Sequence, residues 1–472
     1  MKKTILSLTV VVISMFLCSC GEKSSMNPSN SQIETQTLTA EEKIFGLSLI
    51  WKEAQYNFPF WVNLKDLDWD AAYHEALTNV LKENDIREYY LELSKFITLL
   101  RDGHTDISFP ESVFKNAGRF PVLFGYLNGK YYIVNFDINM DIDLWSEVVR
   151  INQMDANDYF TEKFFPYFWH EKLDSASGKI NSFLPIVEYG KELEITTEKQ
   201  TFKMKATTET INWKLETAFP ISKDESFTEL FKSNGLMVEL TNDNIAVITI
   251  PTFSYGDLQN EFYNILPKIK NCKGFIIDVR NNGGGNSGYA DSVAQAFIKE
   301  KNFENSRHRL MVYIGTYKAW GRGIDFSQRP LDSPWIKKAY DITNRQYFED
   351  SINRAGTFDC PSYLDQPLVV LANQGTVSAA EDFLVVLDNL KRATIVGTAS
   401  YGSTGQPILY DLPGGGGVRI CTRWCLYPDG REFINIGVQP HIYAQLSIED
   451  IKNGYDSVFK KGIDTLREKI NK

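Results

Sequence analysis

The sequence predicts a multidomain α/β chain, and three observations carry that prediction. First, apolar runs at 245–250, 274–279, 367–371 and 394–396 alternate with helical patterns near 256–269, 287–299 and 379–391. Such runs suit strands buried on both faces, and their alternation with helices suits parallel βαβ units. Second, residues 39–103 hold helical patterns only, so the chain also carries a helical part of its own. Third, 472 residues exceed one simple core, so two or three domains are expected.

The elements follow in chain order. Lys2 and Lys3 precede an apolar run over 5–17, which is too short for the roughly 20 residues that span a bilayer. Leu17-Cys18-Ser19-Cys20 follows and resembles a bacterial lipobox, with Cys20 as the lipid-bearing residue. Residues 1–20 are therefore expected to be a lipoprotein signal peptide, and the polar, aperiodic stretch 21–38 a flexible tether. This places the protein in the cell envelope, outside the cytoplasm.

Residues 39–103 form the expected helical N-terminal domain. Thr39 and two acids open its first helix. The helix over 86–100 places Ile86, Tyr89, Tyr90, Leu93, Phe96, Ile97 and Leu100 on one face, behind a capping pair of Asp85 and Glu88. Residues 104–165 read as a β-rich module. Strands at 122–127 and 131–136 flank an Asn128-Gly129 turn, and a third strand starts at Val148. The module resembles a PDZ domain. Residues 166–235 read as a connecting segment with a hairpin or two and no assigned function, and 236–472 as the α/β catalytic domain.

Composition narrows the function. The net charge of −10 argues against nucleic acid as a partner. Cys272, Cys360, Cys421 and Cys425 lack metal-ligand spacing, so no metal is expected and buried free thiols are the simpler reading. The glycines of Asp278-Val-Arg-Asn-Asn-Gly-Gly-Gly lack the lysine of a phosphate-binding loop and the later acid of a dinucleotide fold, so no cofactor is expected.

Chemistry centres on Ser378. It stands between an apolar strand and a helix, where outward N–H groups and the helix dipole favour an anion. A serine so placed can attack a carbonyl, with the Ala379 N–H and one from glycines 283–285, taken as Gly284, holding the oxyanion. The same letters, Ser378 with Glu381, also spell a capping box. A serine needs a base. Of five histidines, His104 is the candidate, because Gly103 lets a tight turn present it after the 86–100 helix. His74 and His441 suit structural places better.

Asp102-Gly-His-Thr, Ile277-Asp-Val-Arg-Asn-Asn-Gly-Gly-Gly and Val377-Ser-Ala-Ala-Glu occur in the order seen in S41 serine peptidases, which the chain resembles over most of 40–450. The resemblance implies a crotonase-like (ClpP/crotonase) catalytic domain and a peptide or protein substrate. Where C-terminal-processing members carry a catalytic lysine, this chain has Ser403. The resemblance therefore points to the tricorn-like branch, with serine, histidine and a carboxylate. It implies Glu432 as that carboxylate, with Asp429 and Glu381 as alternatives, and Glu381 and Ser403 as supports. The expectation is an extracytoplasmic serine endopeptidase. A non-catalytic ligand- or peptide-binding protein and an acyl or ester hydrolase on the same scaffold are the alternatives.

Overall fold

The apolar runs after residue 236 become the middle of a seven-stranded sheet in the computed structural model, which describes residues 6–7, 37–215, 220–221 and 224–472. Cys20, and the tether up to residue 36, lie outside the described residues. Across the sheet the strands are Phe227–Lys232, Met237–Thr241, Ile245–Thr249, Gly274–Asp278, Leu368–Ala372, Thr394–Gly397 and Ile442–Tyr443. The first three pair antiparallel, neighbour to neighbour, and every later pair is parallel.

Gly274–Asp278 and Leu368–Ala372 are buried at every position, because the pleat sends alternate side chains to two covered faces. Ala246, Ile248, Phe275, Ile277 and Val370 face the helices Leu258–Ile269, Ser287–Gln295 and Ala379–Asn389. Ile245, Val247, Ile276, Val369 and Leu371 face the final helix, Ser457–Ile470.

The N-terminal helices are Ala40–Asn57, Trp69–Val80 and Ile86–Thr98. Thr39 and Glu42 form a full capping box, and Asp85 accepts from the N–H groups of Arg87 and Glu88 at 2.7 and 3.3 Å. Their buried residues share one continuous core with the first face of the large sheet. Polar contacts fix the same junction. Tyr90 donates to the Pro413 carbonyl at 2.8 Å, and Tyr410 donates to Glu53 at 2.6 Å.

The β module is larger than the sequence pattern indicates. Its sheet orders Val122–Leu127, Lys130–Phe136, Glu147–Ile151, Glu192–Thr197 and Thr201–Lys205, and it packs on the helix Leu173–Phe183 around a separate core. Asn128 and Gly129, both at positive φ, close the hairpin as expected. Half of the stretch read as a connection is thus structural. Alternation was visible at Thr201–Lys205, but its partner strand Glu192–Thr197 was not.

Two small sheets were not foreseen. One joins Arg307–Met311, Phe348–Ser351 and Trp424–Leu426, with the helices Gly315–Arg322 and Pro334–Thr343 inserted between its first two strands. The other joins Ile408–Asp411, Gly417–Ile420 and Asp106–Ser108. The latter carries the residues just after His104 onto the α/β part. No helix among the described residues is long and apolar enough to cross a membrane.

A buried ion triad anchors the loop after Gly274–Asp278. Arg280 donates to both oxygens of Asp278 at 2.9 and 2.7 Å and to both of Asp456 at 2.9 and 2.8 Å. All three side chains are nearly solvent-free. Asp456 also caps the final helix through the Phe459 N–H at 2.9 Å. Removing one member leaves uncompensated buried charge. Arg280→Met is expected to lower the unfolding free energy by about 3–5 kcal/mol, read from urea denaturation; a loss under ~1 kcal/mol would show the triad to be dispensable.

Candidate active site

Ser378 ends the turn between Leu368–Ala372 and Ala379–Asn389, with φ +58° and ψ −123°. This is a left-handed conformation that a residue with a Cβ avoids, at a cost of roughly 1–3 kcal/mol. Its neighbours hold it there. The Val377 N–H donates to the Asn282 carbonyl at 2.9 Å, and the Thr376 hydroxyl to the Val279 carbonyl at 2.9 Å. The Ser378 N–H lies 3.2 Å from the Ser403 carbonyl and 3.3 Å from the Glu381 carboxylate. Ser378 remains partly exposed.

The glycine loop lies directly against it. Asn281 and Asn373 bond reciprocally, N–H to Oδ1 at 2.9 Å and Nδ2 to Oδ1 at 3.0 Å, lacing the loop to the serine turn. Gly284 has φ +91°, and a Cβ there would sit 2.7 Å from the Ser378 Cβ and 3.0 Å from the Ala379 nitrogen. Only glycine fits. The expectation that Gly284 donates to an oxyanion needs correcting, however. Its N–H is committed to the Asn282 Oδ1 at 2.9 Å. Among the described hydrogen bonds, the N–H groups of Ala379, Gly283 and Gly285 have no acceptor.

His104 is buried in the turn after Ile86–Thr98. The strand that follows it, Asp106–Ser108, pairs antiparallel with Gly417–Ile420. Arg419 grips Asp106 at 2.7 and 2.8 Å and donates to the Gly103 carbonyl at 3.2 Å. The His104 Nδ1 meets the Ser403 hydroxyl. Burial first, then the cations Arg419 and Lys179, push the imidazole down to about 3 against the pull of Asp106, so the ring is neutral. Among the described residues no hydrogen bond joins His104 to Ser378. Ser403 stands between them, its hydroxyl on the imidazole and its carbonyl accepting from the Ser378 N–H.

Glu381 organises that link. Its fully buried carboxylate accepts from the Ser400 hydroxyl at 2.5 Å and from the N–H groups of Gly402 and Ser403 at 2.6 and 3.0 Å, besides that of Ser378. Burial pushes its pKa up to about 8 against these bonds. Backbone N–H groups can only donate, and they occupy both oxygens, which favours the ionised form. The capping box expected at 378–381 thus has its glutamate arm, and that arm also clamps the turn 400–403.

Glu432 is not brought to His104. Its half-buried carboxylate accepts from the indole N–H of Trp424 at 2.9 Å and faces Arg309, within the Trp424–Leu426 sheet. Asp429 is tied to Arg431 at 2.7 Å near the surface. His441 is structural, as expected, accepting from the Ile395 N–H at 2.9 Å. The four described cysteines are free thiols, of which Cys272, Cys421 and Cys425 are buried. Sequence reasoning missed Ser400, Glu171, Lys172 and Arg419. The first three sit in aperiodic turns, and Arg419 pairs across 313 positions, so none left a local signal.

Residues 244–444 match the model of peptidase family S41. The chain is 26% identical over 205 residues to a carboxy-terminal-processing protease of Bartonella bacilliformis, covering 43% of this chain and 38% of that one. It is 27% identical over 196 residues to a carboxyl-terminal-processing protease of Synechocystis sp., covering 41% and 36%. The chain thus spans under two fifths of these relatives' length. Among solved structures, mature CPAF aligns over 92% of this chain and 98% of its own with a TM-score of 0.66 at 16% identity, a likeness of fold.

Two outcomes follow from the geometry. Ser378→Gly should be more stable than Ser378→Ala by about 1–2 kcal/mol in chemical denaturation, because only glycine relieves the positive φ; equal stabilities would mean the turn is unstrained. His104, held neutral, contributes stability above its unfolded pKa of about 6.5 that is lost as pH falls toward 3. His104→Gln should flatten the stability–pH curve across that window, and an unchanged slope would contradict the assigned electrostatics.

Proposed function

We propose that the protein is an extracytoplasmic serine endopeptidase of the S41 type, in which Ser378 is the nucleophile and His104 the base. The observation that carries this reading is the serine on a strained strand–turn–helix corner, with a glycine loop packed on it and a neutral imidazole one residue away through Ser403. Corners of this kind present hydrolase nucleophiles elsewhere. The Ser378 hydroxyl attacks the peptide carbonyl and passes its proton to His104, which returns it to the leaving amine. The Ala379 N–H and that of Gly283 or Gly285 hold the oxyanion.

Closing the proton path requires the imidazole or the Ser378 side chain to turn toward the other, since apo sites often hold such bonds open. Low basicity in the empty site does not oppose this. The oxyanion forming beside the ring favours its charged form, and Arg419 is already neutralised by Asp106. In place of Glu432, Glu381 orients the base through Ser403, and Ser403 accepts from the imidazole. The catalytic part is crotonase-like, the β unit PDZ-like, and lipid at Cys20 anchors the chain to the membrane. Peptides or proteins are the substrates.

A fluorophosphonate probe tests the assignment. The expected result is labelling at Ser378, abolished in Ser378→Ala and slowed about 10²–10⁴-fold in His104→Ala. Peptide and ester substrates are compared in the same preparation. Labelling elsewhere, or none, would defeat the peptidase reading in favour of a binding protein. Turnover of esters alone would make it an acyl hydrolase.

A further inference from the structure

The segment at 169–172, Trp-His-Glu-Lys, lies outside both the large sheet and the motifs around Ser378, yet it touches both halves of the site. The Gly103 N–H donates to Glu171 Oε1 at 2.8 Å. A methyl group on Gly103 would lie 2.4 Å from that oxygen, so the carboxylate rests on the turn that presents His104. The next residue, Lys172, donates to the Ser400 carbonyl at 2.7 Å, in the turn that carries Ser403. Its ammonium lies 2.7 Å from where a Cβ on Gly437 would stand. Lys179, in the helix that follows, reaches Asp106 at 3.7 Å. One short stretch therefore ties together the two loops that meet at the His104–Ser403 contact.

The Glu171 carboxylate is nearly solvent-free. Trp169 Nε1 is shielded from solvent and has no acceptor among the described hydrogen bonds, while the Glu171 carboxylate is shared between the Gly103 N–H and the Tyr401 hydroxyl. A buried carboxylate bound from two sides is held at a fixed place on the turn that presents His104.

We infer that Glu171 is a positioning residue for the proposed reaction, setting the His104 turn through the Gly103 N–H while Lys172 fixes the opposing Ser403 turn. This rests on the reading of Ser378 and His104 as nucleophile and base. Glu171 touches neither of them, so it acts through geometry, and a misplacement of about 1 Å can cost 100-fold in rate.

The test measures fluorophosphonate labelling of Ser378 and peptide turnover by the full chain. In Glu171→Ala, kcat and the labelling rate are expected to fall about 10–100-fold with KM nearly unchanged. Glu171→Gln keeps an oxygen for the Gly103 N–H and should stay within about threefold of wild type. Wild-type rates in Glu171→Ala overturn the inference. So does Glu171→Gln failing as badly as Glu171→Ala, because the hydrogen bond would then not be the operative contact. Thermal unfolding verifies that each variant is folded. If Glu171→Ala is not, Gly103→Ala decides, as its methyl displaces the carboxylate from the opposite side; a wild-type rate there also overturns the inference. A wild type that neither labels nor cleaves peptide would instead remove the underlying peptidase reading, a separate result.

Discussion

The constraint on which the site depends is one buried carboxylate. Glu381 lies in the first turn of Ala379–Asn389, where the helix dipole favours negative charge. From there it receives the N–H groups of Ser378, Gly402 and Ser403 and the hydroxyl of Ser400. Charge-assisted bonds of this kind are worth about 1.5–3 kcal/mol each. The strain at Ser378 costs roughly 1–3 kcal/mol in total. The carboxylate can therefore hold the serine in its left-handed conformation and still fix the turn 400–403. Desolvation works against those four donors and leaves its pKa raised, at about 8. The donors add to the direct backbone links between the two turns, the Ser378 N–H on the Ser403 carbonyl and the Tyr401 N–H on that of Thr376.

A second constraint brings the imidazole to this anchor. His104 comes from a segment whose nearest regular partner in space, Gly417–Ile420, is more than 300 residues away. The pairing of Asp106 with Arg419 sets the register, and their partly buried, two-pronged ion pair closes it. The apolar surfaces of the N-terminal helices then merge with the core beneath the large sheet. The helical region is thus held by packing and by a β-ladder at once. Domain organisation and site geometry are here one problem, since the base cannot be placed without the junction being formed.

These two constraints differ in how visible they are in the sequence. The serine corner was legible because its parts are local. An apolar run fixes the strand Leu368–Ala372, a polar turn follows, and Ser378 with Glu381 marks the helix start. The large sheet was legible for the same reason, with βαβ units announced by continuous apolar runs. The N-terminal helices announced themselves by period and caps. Residues whose role is set by distant pairing were not legible. Glu432 sits in a stretch that resembles the acid-bearing segment of tricorn-like peptidases, but a tryptophan eight positions earlier claims its carboxylate. Gly284 was expected to donate to the oxyanion, yet its N–H is taken by Asn282 two residues before it. Glu171 and Lys172 follow an aromatic run with no period, and only the closed fold shows which loops they touch.

The electrostatics around His104 make sense only when the site is treated as a whole. Arg419, Lys179 and Arg423 all disfavour an imidazolium, and Asp106 alone among its close partners favours it. A free imidazole in this setting would be a weak base. It would also be protected from protonation by bulk acid, so the neutral form persists across the physiological range. On the proposed reading, the missing counter-charge is the oxyanion itself, which develops at the helix start as the proton leaves Ser378. The imidazolium would then be stabilised only while a tetrahedral intermediate is present. A site so arranged holds its general base idle between turnovers and raises its basicity in step with the reaction, which is the differential stabilisation catalysis requires.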